Sequence, residues 1–496
     1  MFPFYICPAT NLQTDYDAST KVIPSFRPSP QFWLDSDGDN SAFLQLAANN
    51  CHVGTVGLLF GKGAPIDQDS NSLLHCAARG GHTDTVKRLL DKGIPIEARN
   101  TDGYTPLHLA AENGHPSVIE LLIAEGASIE VLDKIKNTAL HLAAWKGHIA
   151  IVDLLLRKGA RIAATGQRDN TPLHFAAYSG DISVVELLLT KGASIRARSL
   201  DGTPLNCAAS KGHTAIVELL LGNEAFVGSR GNLDTLLYNA THGGHVGTIE
   251  LLLQKGASVK VKREARETPL HLAASKGHMG AVKLLLKKGA SIKAKLENGG
   301  TPLHEAASND HPGVIELLLT KGASIEATGQ YHRTALHVAA LWGHTRTVKL
   351  LLEKGASIGA RTDSGYTPLH LAAKHGHTAV VGLLLEKGAS IELIGWDGAT
   401  PLHLAVMAST GVVELLLERG AVTNAMDINY DTPLHIAVCY GHTGIVELLL
   451  EKGASPEVKN IWDDTPMHLA ARDGHTDIVQ LLKSKATELA VRGTRR

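Results

Sequence analysis

Histidine is the residue type in this sequence whose number and spacing could support chemistry. The chain has 26 histidines, and His108 with His115, like His141 with His148, stands seven residues apart. Imidazole side chains bind zinc and transfer protons near neutral pH. The pairs therefore raise the hypothesis of a metal or catalytic centre.

The distribution along the chain favours a structural role instead. Eleven histidines lie at one position of a repeated segment and twelve at a second position, which leaves His242, His332 and His375. A zinc site needs about three or four ligands around one ion, whereas these pairs recur once per repeat without Cys or carboxylate partners at fixed spacing. We expect hydrogen bonds between adjacent repeats, and no metal or cofactor.

The repeated segment is Thr-Pro-Leu-His-Leu-Ala-Ala at 105–111, one of fourteen related occurrences spaced about 33 residues apart. Thr105 is a typical N-cap residue, and Pro106 suits the first helical position. Gly114 and Gly126 predict the ends of a short first helix and of a second helix. Helices this short are not stable alone in water, so each pair must stack on its neighbours.

The period and the Thr-Pro-Leu-His-x-Ala segment resemble the ankyrin repeat. The resemblance covers residues 41–485 and implies an all-α ankyrin-repeat solenoid of stacked helix pairs. It also implies that β-hairpin-like fingers connect the units and that the first helices line a concave groove. Asp102-Gly103 is typical of a tight turn and lies where a finger is expected.

The chain is predicted to have three parts: a disordered leader at 1–40, the repeat array with degenerate caps at 41–485, and a basic tail at 486–496. The middle of the array departs from the pattern. Asn206 and Tyr238 replace the histidine of the repeated segment, and Glu224 stands where nearly all other units have Gly. A Glu with positive φ costs about 1 kcal/mol relative to Gly. We therefore expect the weakest joint at 224–241.

Composition narrows the classes of function. The net charge is −1, and the absence of a run of about 18 apolar residues argues against a membrane span. Five cysteines without framework spacing favour a reducing compartment, and the N-terminus lacks the basic leader of a signal peptide. No nucleophile elbow, phosphate-binding loop or zinc-protease motif occurs, so we do not expect an enzyme. We expect a monomer in the cytoplasm, with the nucleus as the alternative.

Aromatic residues are the candidate partner-binding residues, because interface hot spots favour large amphipathic side chains. One group is expected at the groove-facing ends of first helices: Trp145, Tyr178, Trp342 and Tyr440. A second group lies in the connections of five successive units: Tyr331, Tyr366, Trp396, Tyr430 and Trp462. The alternative is that each ring lies on a neighbouring unit and only stiffens the stack.

A basic cluster spans 255–295, where eleven Lys or Arg stand against Glu264 and Glu267. Its candidate residues in the connections are Lys260, Lys262, Arg263, Arg266, Lys293 and Lys295. The cluster is either a solvated face or a site for an acidic partner. No aromatic residues interleave with it to stack bases, which disfavours nucleic acid.

These patterns predict a non-catalytic scaffold or adaptor in a regulatory role. It would bind one or more proteins through the finger and concave surfaces that the resemblance implies. The alternative is a nuclear co-regulator or nucleic-acid-associated factor that uses the basic fingers at 255–295.

Overall fold

The computed structural model describes residues 70–222 and 230–493. The leader at 1–40, the N-terminal cap and Glu224 of the expected weak joint lie outside the described residues. The chain divides into two compact units, residues 1–243 and 244–496. The boundary falls next to the segment 224–241.

Helices come in pairs, and each pair forms one repeat. The α-helices of the first unit are Ser70–Arg79, Thr83–Asp91, Pro106–Glu112, Pro116–Ala124, Ala139–Trp145, Ile149–Arg157, Pro172–Ser179, Ile182–Thr190, Pro204–Lys211, Thr214–Gly222 and Arg230–His242. Those of the second unit are Val246–Gln254, Pro269–Ser275, Met279–Lys287, Pro302–Ser308, Pro312–Thr320, Ala335–Leu341, Thr345–Glu353, Pro368–Lys374, Thr378–Glu386, Pro401–Ala405, Thr410–Glu418, Pro433–Cys439, Thr443–Glu451, Pro466–Arg472 and Thr476–Gly493. Short 3-10 helices occur at Gln167–Asp169, Glu264–Arg266 and Gln330–His332.

Within each compact unit, the helices form two layers of a solenoid. First helices of successive repeats pack on one another, second helices do the same, and the two helices of a repeat pack together. The first helix Pro106–Glu112 buries Leu107 and Ala110, and the second helix Pro116–Ala124 buries Ile119 and Leu122. Full burial of each large aliphatic side chain contributes about 1.5–3 kcal/mol. The predicted stacking of helix pairs is confirmed.

Each regular first helix begins with a capping arrangement built on the histidine of the repeated segment, here called the signature histidine. Thr105 has an extended backbone and Pro106 follows it at the first helical position. The Thr105 N–H donates to His108 Nδ1 at 3.2 Å, and Thr105 Oγ1 lies 2.9 Å from the same nitrogen. The ring therefore satisfies a backbone donor that the helix itself leaves unpaired.

The other ring nitrogen of the signature histidine reaches the next repeat. Because Nδ1 accepts, the proton lies on Nε2, which donates to a backbone carbonyl. His108 Nε2 donates to Asn137 O at 3.1 Å, and His337 Nε2 donates to Tyr366 O at 3.1 Å. The predicted cross-links between adjacent repeats are confirmed.

A second histidine precedes each regular second helix and is here called the cap histidine. Its ring donates to a carbonyl at the end of the first helix of the preceding repeat. His148 Nε2 donates to Glu112 O at 2.9 Å, and His377 Nε2 donates to Leu341 O at 2.9 Å. The seven-residue pairs thus link each repeat to both neighbours, and no group of three potential metal ligands occurs in residues 70–222 and 230–493.

The cap histidine also explains one class of glycine. Gly114 and Gly343, which end first helices, have φ of 79° and 76°. A Cβ on Gly114 would lie 3.1 Å from the His148 ring, and one on Gly343 would lie 2.6 Å from His377 Nδ1. These glycines therefore provide both a left-handed helix end and the space for the ring of the next repeat.

The connections between repeats are hairpin-like turns, here called fingers. The Asn100 N–H donates to Tyr104 O at 3.0 Å and closes one finger. No strand forms in the described part of the chain, and its one isolated bridge joins Ser199 and Gly202. Several pairs of successive fingers are joined by one backbone bond, such as Trp396 N–H to Ser364 O at 2.9 Å. Where this bond recurs, as in the last four fingers, the fingers form a ladder.

The irregular repeats keep the same scheme with fewer bonds. Asn206 caps its helix through Oδ1, which accepts from the Thr203 N–H at 3.0 Å, while Tyr238 is buried. The helix Pro401–Ala405 has only five residues, and Ser409 replaces the cap histidine after it. Of the helices described, none is long and apolar enough to cross a lipid bilayer.

Candidate partner-binding surface

The last three fingers expose a row of large apolar side chains at their tips. Trp396, Ile428 and Ile461 occupy the same position of successive fingers, the residue whose N–H donates to the preceding finger. Their side chains are 66%, 65% and 49% exposed. At this position other fingers place Lys134, Glu297 and Asp363, so the finger ladder itself does not require an apolar residue there.

Further apolar side chains extend this row. The set that we call the apolar tip surface comprises Ile394, Trp396, Met426, Ile428, Tyr430, Ile461 and Trp462, all of which are exposed. Four of them, Ile394, Trp396, Met426 and Ile428, line one open cavity of about 360 Å³ together with Arg361 and Asp427. An exposed apolar concavity with a charged rim is typical of a protein interaction site.

Arg361 lines the cavity beside Trp396. Its Nη1 donates to Gly365 O at 3.0 Å and to Ile394 O at 2.8 Å, which joins two fingers. The guanidinium carbon lies 5.2 Å from the centroid of the Trp396 ring. The cation–π contact and the bonds to two fingers hold the indole in place while most of it stays exposed. A partner would meet a preorganised ring.

Tyr430 occupies a strained backbone position. Its φ is 60°, whereas the two preceding fingers have Gly365 and Gly398 at the same position. A left-handed conformation costs a bulky L-residue about 1–2 kcal/mol. The tyrosine ring is 56% exposed, so its burial offsets little of this strain energy. Lys136 and Asp463 are left-handed at the same position of their fingers, so the finger backbone accepts this conformation with several residue types.

The remaining aromatic residues predicted in fingers differ from one another. Tyr366 stacks on the signature histidine His370 with ring centroids 5.3 Å apart, and its O–H donates to the Asp397 carboxylate. Burial, reinforced by the bond to Asp397, raises the pKa of Tyr366. Tyr331 is exposed, and the Arg333 guanidinium lies 5.0 Å from its ring centroid. Tyr366 thus contributes to the stack, while Tyr331 lies open.

The aromatic residues predicted at the ends of first helices form two pairs. Trp145 is half-buried, 6.3 Å from the Phe175 ring of the next repeat. Tyr178 is also half-buried, with the Lys211 ammonium 4.2 Å from its ring centroid. Trp342 and Tyr440 are each 57% exposed. The first pair packs on neighbouring repeats, whereas the second pair remains accessible.

The basic cluster is exposed on two neighbouring fingers. The six predicted residues, Lys260, Lys262, Arg263, Arg266, Lys293 and Lys295, are all exposed. Within the described residues, no ion pair is formed by Lys260, Lys262, Arg266, Lys293 or Lys295. These five side chains therefore present free cationic groups on a surface separate from the apolar tip surface.

Sequence reasoning missed four members of the apolar tip surface: Ile394, Met426, Ile428 and Ile461. Aliphatic residues are expected in the core of such a chain, so their type alone gave no signal. A comparison of finger positions would have found Ile428 and Ile461, because other fingers carry charged residues at that position.

Stacked helix pairs, fingers joined in a ladder and an exposed apolar tip surface define a helical repeat protein suited to binding another macromolecule. A family model described as ankyrin repeats in three copies matches the chain in overlapping stretches, from 44–133 to 422–492. The chain belongs to the ankyrin repeat family, as its repeated segment indicated. No curated protein matches it.

Proposed function

We propose that the protein is a non-catalytic scaffold or adaptor that binds a protein partner through the apolar tip surface. Ankyrin repeats generally mediate protein–protein interaction. The observation that carries the proposal is the row Trp396, Ile428 and Ile461, exposed at one position of three successive fingers.

The chemistry of the rim suggests what the partner presents. Asp397 and Asp427 lie in the fingers that carry Trp396 and Ile428, and Asp463 is exposed beside Trp462. An apolar anchor flanked by Lys or Arg would complement this surface, because rim charges steer association and select partners. We therefore propose an apolar and basic segment as the preferred ligand.

The test is selection of peptides from a displayed library on the intact protein, followed by binding measurements with variants. Tyr430→Gly and Ile428→Ser should each weaken selected peptides by about 2 kcal/mol or more if these residues are hot spots. Tyr430→Gly removes the side chain and relieves left-handed strain, so its melting temperature should not fall. Loss of affinity with retained stability would assign the ring to recognition.

Leu200→Ser is the matched control. Leu200 is 70% exposed and holds the same finger position in the first compact unit. It should leave peptide affinity unchanged. If Ile428→Ser and Leu200→Ser behave alike, or if Tyr430→Gly lowers the melting temperature and leaves binding intact, the apolar tip surface is not the binding site.

A further inference from the structure

A recurrent carboxylate site joins neighbouring fingers. In four fingers a glutamate accepts the backbone N–H of the residue about one repeat later. Glu97 accepts from Ser128 at 2.7 Å and Glu326 accepts from Ser357 at 2.7 Å. Glu130 accepts from Arg161 at 2.9 Å and Glu392 from Val422 at 2.9 Å.

Two fingers of the basic cluster replace this glutamate with lysine. Lys260 and Lys293 stand at the position of Glu326 in the segments Ala-Ser-Val-Lys, Ala-Ser-Ile-Lys and Ala-Ser-Ile-Glu. The corresponding donors are the N–H groups of Ser291 and Ser324. Within the part of the chain that the structure describes, neither N–H donates a hydrogen bond.

Each of these two places therefore has the donor of a carboxylate site without the carboxylate. The ammonium groups of Lys260 and Lys293 form no ion pair among the described residues. Lys262 and Lys295 follow two residues later and are exposed as well. A backbone N–H combined with free cations is a favourable environment for an anionic oxygen.

We propose that Lys260 with the Ser291 N–H, and Lys293 with the Ser324 N–H, bind two carboxylates of an acidic peptide from a partner protein. The peptide takes the place that the chain's own glutamates occupy in other fingers. A peptide is favoured over nucleic acid because the site matches a glutamate carboxylate and no aromatic residue interleaves with it to stack bases.

The spacing of the sites defines the ligand further. Packed helices lie about 8–10 Å apart, so equivalent positions of successive fingers are separated by roughly 10 Å. A peptide in the polyproline II conformation advances about 3.1 Å per residue with three residues per turn, so side chains three residues apart lie on one face about 9 Å apart. Carboxylates three residues apart in that conformation therefore match the two sites. This surface is distinct from the apolar tip surface. A negative result for the acidic peptide would therefore not contradict the proposed function.

The experiment measures binding of a synthetic peptide with glutamate at every third position to the full chain. The double variant Lys260→Glu/Lys293→Glu restores the internal carboxylates. Each introduced glutamate should then accept the backbone N–H of Ser291 or Ser324 and exclude the peptide. Affinity should fall about tenfold for each lysine reversed. The melting temperature should stay the same or rise, and amide exchange at Ser291 and Ser324 should slow when the peptide binds the unmodified chain.

Lys283→Glu/Lys287→Glu is the matched control, because it changes the net charge equally on the second helix Met279–Lys287, where both lysines are exposed. It should weaken binding far less. Equal weakening by both double variants, unchanged binding by Lys260→Glu/Lys293→Glu, or tighter binding of a single-stranded oligonucleotide of the same charge would each overturn the proposal.

Discussion

Signature histidines such as His108, His337 and His370 are buried as neutral imidazoles, because one ring nitrogen accepts from the threonine cap and the other donates to the next repeat. Burial lowers the pKa of His337 from 6.5 to about 4, and His108 and His370 behave in the same way. The unfolded chain therefore takes up protons first as the pH falls. The free energy of unfolding should decrease between about pH 6.5 and 4, by about 1.4 kcal/mol per pH unit for each such histidine.

His337→Asn tests this linkage, and Asn206 shows that the sequence tolerates the exchange. Asn206 Oδ1 accepts from Thr203 Oγ1–H at 2.8 Å, so asparagine preserves the cap. It does not titrate and loses the bond to Tyr366 O. We expect about 1 kcal/mol lower stability at pH 7 and a shallower loss of stability on acidification. The measurement is the denaturant midpoint by tryptophan fluorescence from pH 7 to 5; parallel curves for variant and parent would contradict the linkage.

At the scale of the helix pair, the two glycines of one repeat serve different purposes. Gly343 ends the first helix against the His377 ring, whereas Gly355 ends the second helix with nothing within 4 Å of a Cβ. Both have positive φ. Gly355→Ala should cost about 1 kcal/mol for the left-handed backbone alone. Gly343→Ala should cost about 2 kcal/mol or more, because the ring must also move.

A double-mutant cycle separates the two causes. In a His377→Ala background the ring is absent, so Gly343→Ala should cost no more than Gly355→Ala. Thermal or denaturant unfolding of five chains measures this: the parent, Gly343→Ala, Gly355→Ala, His377→Ala and His377→Ala/Gly343→Ala. Equal costs for the two glycines in the parent chain would show that ring packing is unimportant at the joint.

The helix pairs could be predicted because every repeat carries its own cap, its own apolar positions and its own terminal glycine. Contacts between repeats were harder to predict. Trp145 and Tyr178 looked free to face a groove, yet Phe175 and Lys211 of the following repeats contact them. Lys260 holds the position that Glu326 holds in another finger, and from the sequence this difference looked like ordinary variation in surface charge. The structure shows that the Glu326 carboxylate accepts the Ser357 N–H of the next repeat. A single repeat does not contain the groups that decide these positions.

At the scale of the whole molecule, the helices that the structure describes pack mainly on helices of their own and of adjacent repeats within each compact unit. Stability is then approximately a sum of local contributions, so the chain should not unfold in a single two-state step. Among the described residues, Trp145 belongs to the first compact unit, and Trp342, Trp396 and Trp462 belong to the second. Tryptophan fluorescence can therefore report on each unit separately.

Gly343→Ala should destabilise only the unit that contains it. Two parent chains are needed, both with Trp33→Phe: one keeps Trp145 and has Phe at 342, 396 and 462, and the other has the reverse arrangement. Matching far-UV circular dichroism would show that the exchanges leave the fold intact. Addition of Gly343→Ala should lower the denaturant midpoint of the second chain and leave that of the first unchanged. A shared shift would mean that the two compact units unfold as one cooperative body, because a two-state chain transmits a local loss of stability to every probe.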